Sequence, residues 1–190
     1  FPCRLDKVTR GAGGAAPSVT EYCYDLNDNL EKVWDPNHPR ASSPAPTQHY
    51  AYDALNRLTS VTQPWTGAGG GSAVTAYGYD VQNHLTSVTD AEGNVTTYVY
   101  SDPDLMARQD SPVSGTSTYT YNEHGELSTE TDARNIVTTR TTDALDRVTA
   151  VSYPDPTLST IYTYDTGAFG RGRLTGITRR TSLRTGFASG

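Results

Sequence analysis

Tyrosine, aspartate and arginine side chains stand close together in the segment YAYDALNRLTSVT, residues 50–62. Tyr50 and Tyr52 flank a single residue, and Asp53 follows directly. Arg57 comes four residues after the aspartate. Enzymes use these residue types as general acids, general bases and anion-binding groups. A catalytic constellation is unique within a chain, whereas a structural element recurs, so the number of copies decides between the two.

The segment recurs with a period of 21 residues and occasional loop insertions, and its seven copies begin near residues 22, 50, 77, 98, 119, 140 and 162. Residues 1–18 are interpreted as the end of a truncated preceding repeat with a Gly/Ala-rich loop, residues 19–180 as the seven copies, and residues 181–190 as the tail of a fragment. A general acid and base form one unique pair. Columns that recur from copy to copy therefore indicate architecture, and we expect no catalytic residues.

Each copy has columns of residue types that predict its local structure. Tyrosines two residues apart share one face of a strand, because side chains alternate along a strand. A short polar residue then opens a turn by accepting backbone N–H groups, and a type that tolerates positive φ follows three residues later. An apolar residue begins the second strand. This structural signature comprises Tyr22, Tyr24, Asp25, Tyr50, Tyr52, Asp53, Asn56, Leu58, Tyr77, Tyr79, Asp80, Asn83, Leu85, Tyr98, Tyr100, Tyr119, Tyr121, Gly125, Leu127, Asp143, Tyr162, Tyr164 and Asp165.

The apolar residues of the second strand do not alternate strictly. Leu58 and Val61 are three residues apart, as are Leu85 and Val88. Such pairs would face opposite sides of an ideal strand. Either a β-bulge intervenes or both faces of the sheet are partly covered.

Arg57 is the least settled member of the opening segment. Its column holds Asn29, His84, Leu105 and Glu126 in other copies. Variation between positive, neutral and negative side chains suits an exposed position better than a required charge. We therefore predict that this column is exposed.

The copies predict β-hairpins that second turns join to one another. The composition agrees, because the chain has 13 Tyr against 3 Phe, and Gly and Pro make up 28 of its 190 residues. Single hairpins are marginal in water, but stacked hairpins bury their tyrosine and leucine columns in ladders. Long sheets also twist. The predicted fold class is all-β, with tandem hairpin repeats forming a curved, spiralling antiparallel β-strip.

The two cysteines, Cys3 and Cys23, lie 20 residues apart with no pair of histidines nearby, so they do not match a metal-binding pattern. A disulfide between them stays open. The spacing does not support one, and two unpaired thiols are the preferred interpretation.

Other candidate chemistry is weak. The histidines His38, His49, His84 and His124 occupy non-equivalent repeat positions and are interpreted as exposed polar residues. The motif DAEGN at 90–94 faintly resembles a calcium-binding turn, but it occurs once in this form and a hairpin turn is preferred. GAGGGS at 67–72 lacks the lysine of a phosphate loop and is interpreted as a flexible insertion. We expect no cofactor and no metal.

The net charge of −6 argues against nucleic-acid binding, which needs clustered Lys and Arg. Only residues 171–180 are locally basic, and a solvated strand and turn explains them better than a phosphate-binding patch. No apolar run approaches the length of about 18 residues that is needed to span a bilayer.

The pattern Tyr-x-Tyr-Asp-x-x-Gly-Arg-Leu-Thr resembles the YD repeat of the Rhs family, and YAYDALNRLTSV and YGYDVQNHLTSVTDAEGNVTTYVY are especially similar to it. The resemblance covers residues 4 to 180 approximately. Asn or Asp replaces the turn glycine in most copies. The sixth copy, RTTDALDRV, lacks both tyrosines, and the seventh has extra turn residues, so local irregularity is expected in both.

The resemblance implies a β-sheet wound into a hollow shell, which encloses a C-terminal toxin in bacterial members and forms an adhesion-protein barrel in the related teneurins. The chain is then expected to be a non-catalytic segment of shell wall, secreted or at the cell surface. Its partners would be the remainder of a parent chain and an enclosed toxin or effector domain. A surface-adhesion or carbohydrate-binding module is the alternative, since exposed tyrosine rings stack on sugars. Enclosed tyrosines would favour the wall, and exposed ones the binding face.

Overall fold

The computed structural model describes residues 3–11, 17–42, 45–65, 71–101 and 104–179. Most of the predicted Gly/Ala-rich loop, most of the GAGGGS insertion and the tail at 181–190 lie outside these ranges. The chain divides into two compact units, Phe1–Thr97 and Tyr98–Gly190, and each is described by itself.

The first unit is built from antiparallel strands, each paired with the next along the chain. Their bounds are β1 (Arg4–Arg10), β2 (Ser18–Tyr24), β3 (Leu30–Trp34), β4 (Gln48–Tyr52), β5 (Leu58–Trp65), β6 (Gly71–Tyr79), β7 (Leu85–Thr89) and β8 (Val95–Tyr100). The unit boundary falls inside β8.

The second unit follows the same plan, with consecutive strands paired antiparallel from β9 onward. Its strands are β9 (Met106–Ser111), β10 (Gly115–Tyr121), β11 (Leu127–Thr131), β12 (Val137–Thr142), β13 (Val148–Ser152), β14 (Thr160–Tyr164) and β15 (Leu174–Arg179), and a short 3₁₀ helix spans Pro156–Leu158. The predicted all-β class of antiparallel hairpins is confirmed. The curvature and the spiral stay predictions. In the described residues, no helix has the length and apolar character that crossing a membrane requires.

In six of the seven copies, a β-bulge sets the register between the two strands of the hairpin. Tyr50 of β4 pairs with Val61 of β5. Two residues further on, Tyr52 pairs with Leu58 rather than with Thr59. The extra residue brings Leu58 and Val61 to one face, the face of the tyrosines, so the bulge explains their spacing. The same register shift occurs in β2–β3, β6–β7, β10–β11, β12–β13 and β14–β15.

The sixth copy, β12 and β13, keeps this register although it lacks both tyrosines. Thr142 pairs with Val148 after the same shift that other copies show. The irregularity expected for this copy is therefore wrong, because the backbone ladder and the turn set the register without the aromatic rings.

Each unit is a single layer of sheet with little enclosed core. Cys23 and Trp34 are the only buried apolar side chains among the residues that the structure describes. In β10, the side chains of Thr116, Thr118 and Thr120 are exposed, while the alternate residues, including both tyrosines, are half-buried. One face of this strand is thus a row of hydroxyl groups open to solvent, and the other is shielded by aromatic rings.

Cys3 and Cys23 form a disulfide, with their Cα atoms 5.5 Å apart. The prediction of two unpaired thiols is therefore wrong. β1 and β2 pair so that Leu5 lies opposite Cys23, and alternation places Cys3 on the same face, diagonally across from its partner. Strand pairing brings the sulfurs together, and a separation of 20 residues alone does not reveal it.

Candidate functional site

The turn between the two strands of a copy, here called the first turn, is an Asx turn. Asp53 shows the arrangement: its Oδ1 accepts hydrogen bonds from the N–H of Leu55 (2.8 Å) and of Arg57 (3.0 Å). The Asp53 N–H also donates to the Arg57 carbonyl (3.0 Å). The side-chain oxygen of the turn-opening residue accepts the same pair of bonds in the copies opened by Asp25, Asp80, Asn122 and Asp143. These bonds fix the local backbone of each turn.

Positive φ occurs three residues after the turn opener, at the column where the residue types predict it. The residues are Asp28 (62°), Asn56 (61°), Asn83 (73°), Asp104 (62°), Gly125 (82°) and Asp146 (62°). Left-handed backbone costs least for Gly, Asn and Asp. The family's glycine is thus replaced here by residues that still accept this conformation.

The seventh copy departs from this plan. Asp165 is its predicted turn opener, but it has a positive φ of 61° itself. Its Oδ1 accepts a hydrogen bond from the N–H of Gly172 (2.6 Å) rather than from a residue two positions on. The extra residues before Leu174 lengthen the turn, so the bond reaches further along the chain.

Arg57 is not the exposed side chain that the variation of its column predicts. Its side chain is only 22% exposed. The Nε donates to Asp53 Oδ2 (2.7 Å), and Nη1 donates to the Asp80 carbonyl (2.8 Å) and to Asn83 Oδ1 (3.0 Å). The guanidinium therefore joins its own first turn to the first turn of the next copy.

The residue in the column of Arg57 varies between copies, but it forms a hydrogen bond with the turn opener of its own copy in several of them. Hydrogen bonds join Asn29 to Asp25 (3.0 Å), His84 to Asp80 (2.8 Å) and Arg147 to Asp143 (2.8 Å). In the fifth copy the polarity is reversed, since Asn122 Nδ2 donates to Glu126 Oε2 (2.5 Å). In the sequence, this pairing is visible as a hydrogen-bond donor and an acceptor that stand four residues apart within one copy. Comparing one position at a time between copies does not reveal it.

Side chains also join the first turns of consecutive copies, and we call these contacts the turn ladder. They are Asn27 and Asn29 to Asn56 (3.0 and 2.9 Å), Arg57 to Asn83 (3.0 Å), His124 to Asp146 (2.6 Å) and Arg147 to Asp165 (2.7 Å). Each contact lies within one unit. The polar groups along this edge bind one another, so the ladder is a structural arrangement.

The second tyrosine of a copy binds the backbone of the preceding copy. Tyr79 Oη donates to the Leu58 carbonyl (2.9 Å). Backbone pairing of β5 with β6 starts at Ser60, two residues after Leu58. The hydroxyl thus bonds a carbonyl beyond the paired segment. The equivalent bonds join Tyr52 to Leu30 (2.9 Å), Tyr121 to Met106 (2.8 Å) and Tyr164 to Val148 (2.9 Å).

Replacing Tyr79 by Phe is expected to lower the free energy of unfolding by about 1 kcal/mol, because the Leu58 carbonyl loses its hydrogen bond while the ring stays. Urea unfolding of the purified chain measures the change. The matched control is Tyr77→Phe in the first tyrosine of the same copy, for which the described residues show no hydroxyl hydrogen bond. Equal losses in the two variants would contradict the role given to the Tyr79 hydroxyl.

Arginines cover the rings of these second tyrosines. The guanidinium of Arg57 lies 4.8 Å from the ring centre of Tyr79, and that of Arg147 lies 4.4 Å from the ring centre of Tyr164. Arg4 stacks on Tyr24 in the same way, at 4.5 Å. Each contact adds a cation–π attraction between adjacent copies.

The turn carboxylates are held in their ionised form. The Arg57 N–H and guanidinium lower the pKa of Asp53. The Asn29 amide side chain lowers the pKa of Asp25, and the Arg147 guanidinium lowers the pKa of Asp143. Hydrogen bonds to a charged carboxylate favour that form. The pKa values of Asp80, Asp90, Asp132 and Asp165 are lowered as well. Carboxylates in this state are poor general acids.

The remaining members of the signature form the strands around these turns. All the signature tyrosines are half-buried, as are Leu58, Leu85 and Leu127. Among the histidines, His124 is exposed as predicted, with 61% of its side chain accessible. The prediction is wrong for His84, which is only 15% exposed because it bonds Asp80. His38 pairs with Asp35 (3.2 Å), and His49 lies 3.8 Å from Glu31.

Part of the chain matches the model of a known family, and its fold is similar to solved structures. The RHS Repeat family model matches residues 65–95 and 79–104. No curated protein is significantly similar to the chain in sequence.

Solved structures with a similar fold include three crystal structures of TcdB2-TccC3. The structure of TcdB2-TccC3 itself has a TM-score of 0.58 at 14% identity and covers 80% of this chain and 10% of that chain. TcdB2-TccC3-Cdc42 has a TM-score of 0.56 at 14% identity, covering 78% and 9%. TcdB2-TccC3 without its hypervariable C-terminal region has a TM-score of 0.55 at 14% identity, covering 91% and 10%.

The chain spans about a tenth of the length of these solved chains, and at 14% identity the likeness concerns the fold. The similarity to Rhs repeats depends on these matched residues together with the tyrosine, aspartate and positive-φ columns that recur in the other copies. Residues 65–95 and 79–104 thus match Rhs, or YD, repeats, and the other copies resemble them in their repeated columns.

Proposed function

We propose that the chain is a non-catalytic segment in the wall of a YD-repeat shell that encloses a toxin or effector domain. The remainder of a longer parent chain would supply the rest of the wall. This proposal includes a secreted or cell-surface location for the parent.

The single-layer sheet carries this proposal. Globular domains bury their apolar residues between layers, but in the described residues only Cys23 and Trp34 are buried apolar side chains. At β10, one face of the sheet is shielded by aromatic rings and the other is open to solvent. Such a layer suits a wall that separates the interior of a shell from the outside. The tyrosine hydroxyl bonds and the turn ladder, which hold each copy to its neighbour, suit a wall that is extended by adding hairpins.

The use of the polar groups supports a non-catalytic role. Asp53 and Arg57 are the residues of the opening segment that could act as an acid, a base or an anion site. Both are engaged in the turn and the turn ladder. Purified chain is accordingly expected to show no hydrolase activity.

Capture of the source protein with an antibody against this chain tests the shell. We expect mass spectrometry to give a polypeptide much longer than 190 residues, and electron microscopy to show a hollow particle. One segment of the polypeptide should resist protease until the particle is opened. A solid particle, or digestion of all segments at one rate, would refute the proposal.

Glycan binding is the second candidate, and one observation favours it. An open groove of about 440 Å³ in the first unit is lined by Tyr50 and Tyr52 together with the polar residues Glu31 and His49. The Tyr52 hydroxyl is already bonded to the Leu30 carbonyl, so only part of this surface is free to contact sugars. Glycan-array binding that is lost on Tyr50→Ala and Tyr77→Ala would support this candidate, and absence of binding to any glycan would count against it.

A further inference from the structure

The junction between the fifth and sixth copies differs from its neighbours in the charges that it brings together. His124 and Glu126 belong to the first turn of the fifth copy, and Asp146 belongs to that of the sixth. One imidazole nitrogen and one oxygen from each carboxylate lie within 4.8 Å of one another. The sequence does not predict this cluster, because stacking of two turns brings residues 22 positions apart together.

At the next junction, between the sixth and seventh copies, a cation built into the chain occupies this place. Arg147 Nη2 bridges the carboxylates of Asp143 (2.6 Å) and Asp165 (2.7 Å) and lies over the Tyr164 ring. In the column of Arg147 the fifth copy has Glu126, and in the column of Tyr164 the sixth copy has Thr142. Both the guanidinium and the ring that it covers are therefore replaced at this one junction.

The two turns of this junction also border a cavity. Its volume is about 280 Å³, and its lining includes Asn122, His124, Thr142, Asp143 and Asp146. The lining thus combines the imidazole of His124 with carboxylates from both turns. An ion could therefore reach these groups from solvent.

The backbone around the cluster is fixed before any ion arrives. The Asn122 Oδ1 accepts hydrogen bonds from the N–H of His124 (3.0 Å) and of Glu126 (2.9 Å). Asp146 has a positive φ of 62°, and its N–H donates to the Asp143 carbonyl (3.0 Å). Preset ligand positions lower the ordering cost of binding.

We propose that His124, Glu126 and Asp146 bind a divalent transition-metal cation, which takes the place of the guanidinium found at the neighbouring junction. Imidazole and carboxylate ligands suit Zn²⁺ and its first-row relatives. Calcium takes oxygen ligands, so the imidazole argues against it. Ligand atoms about 2.0–2.2 Å from Zn²⁺ stand further apart than the 2.6 Å between His124 Nδ1 and Asp146 Oδ1, so the ion displaces this hydrogen bond.

Isothermal titration calorimetry with ZnCl₂ on the whole chain tests the site. The wild-type chain should bind one more equivalent of Zn²⁺ than His124→Ala, or bind it at least about tenfold more tightly. Asp146→Asn and Glu126→Gln should show the same loss. Asn tolerates the positive φ at position 146, and Gln keeps an oxygen that accepts from Asn122, so these two variants preserve the turns.

Two further variants sharpen the result. His38→Ala removes a histidine that pairs with one carboxylate, and it should bind Zn²⁺ as the wild type does. The double variant Glu126→Arg/Thr142→Tyr rebuilds the arrangement of the neighbouring junction, and it should fold and lose the site. Zn²⁺ binding that is equal in the wild type and in the three single-ligand variants, or no saturable binding at all, would overturn the proposal.

Discussion

Removing the disulfide is expected to lower the free energy of unfolding of the β1–β2 hairpin by about 3 kcal/mol, because the bond closes a loop between residues 20 apart in the chain. β1 is the first strand of its sheet and pairs only with β2 among the described strands. Most of its side chains are exposed, so burial adds little to hold it. We expect reduction to release β1 while the later hairpins stay folded.

Hydrogen exchange before and after reduction measures this effect. The amides of Arg4–Arg10 should lose protection, whereas those of β5–β6 should keep theirs. A Cys3→Ala/Cys23→Ala variant is the matched control, because it should exchange like the reduced chain without any thiol being present. Alanine is preferred to serine, since Cys23 is fully buried and a hydroxyl there would add a desolvation cost. Unchanged protection of β1 in both samples would contradict the prediction.

Acid is expected to weaken the first turns together. The folded chain lowers the pKa of Asp25, Asp53 and Asp143 below the unfolded value of about 3.9. A carboxyl group of this kind stabilises the fold fully well above its unfolded pKa. Its contribution falls as the pH drops through the unfolded pKa, and it is gone below the folded one. The contribution of these carboxyl groups to stability should therefore be level from neutral pH to about pH 5 and fall steeply below it.

The fifth copy provides an internal control for this acid response. Its turn is opened by Asn122, an amide that does not titrate but makes the same two backbone hydrogen bonds as Asp53. Chemical shifts followed by NMR during an acid titration should move first at the aspartate turns, and the Asn122 turn should respond through its neighbours only. An Asp53→Asn variant should transfer that behaviour to the second copy. Simultaneous loss of all turns at a higher pH would show that other groups control acid unfolding.

The fold could be predicted from the sequence because its determinants are local and repeated. Tyr50 and Tyr52 fix a strand face by alternation, and Asn56 signals a positive φ from its residue type. The three-residue spacing of Leu58 and Val61 also indicated either a β-bulge or partial cover of both faces, and the structure has the bulge. Each of these inferences depends on residues within one hairpin.

The contacts between elements could not be predicted in the same way. Cys3 meets Cys23 only after β1 and β2 have paired in register. Arg57 looked exposed because its partners, Asp53 and the turn at Asn83, belong to two different copies. The His124 and Asp146 contact likewise needs the stacking of two turns. Such contacts are hard to recognise in the repeated columns, because the donor and its acceptor both differ from one copy to the next.

The tyrosine hydroxyl bond has a consequence for how such chains change length during evolution. Each bond joins a copy to a carbonyl of the copy directly before it, as Tyr79 is joined to Leu58. It does not involve more distant copies. Unequal recombination that duplicates or deletes one whole repeat would therefore recreate the link at the new joint wherever the following copy has its second tyrosine. Loss of a few residues inside a period would break two links at once. Chains built in this way should therefore change length in steps of whole repeats.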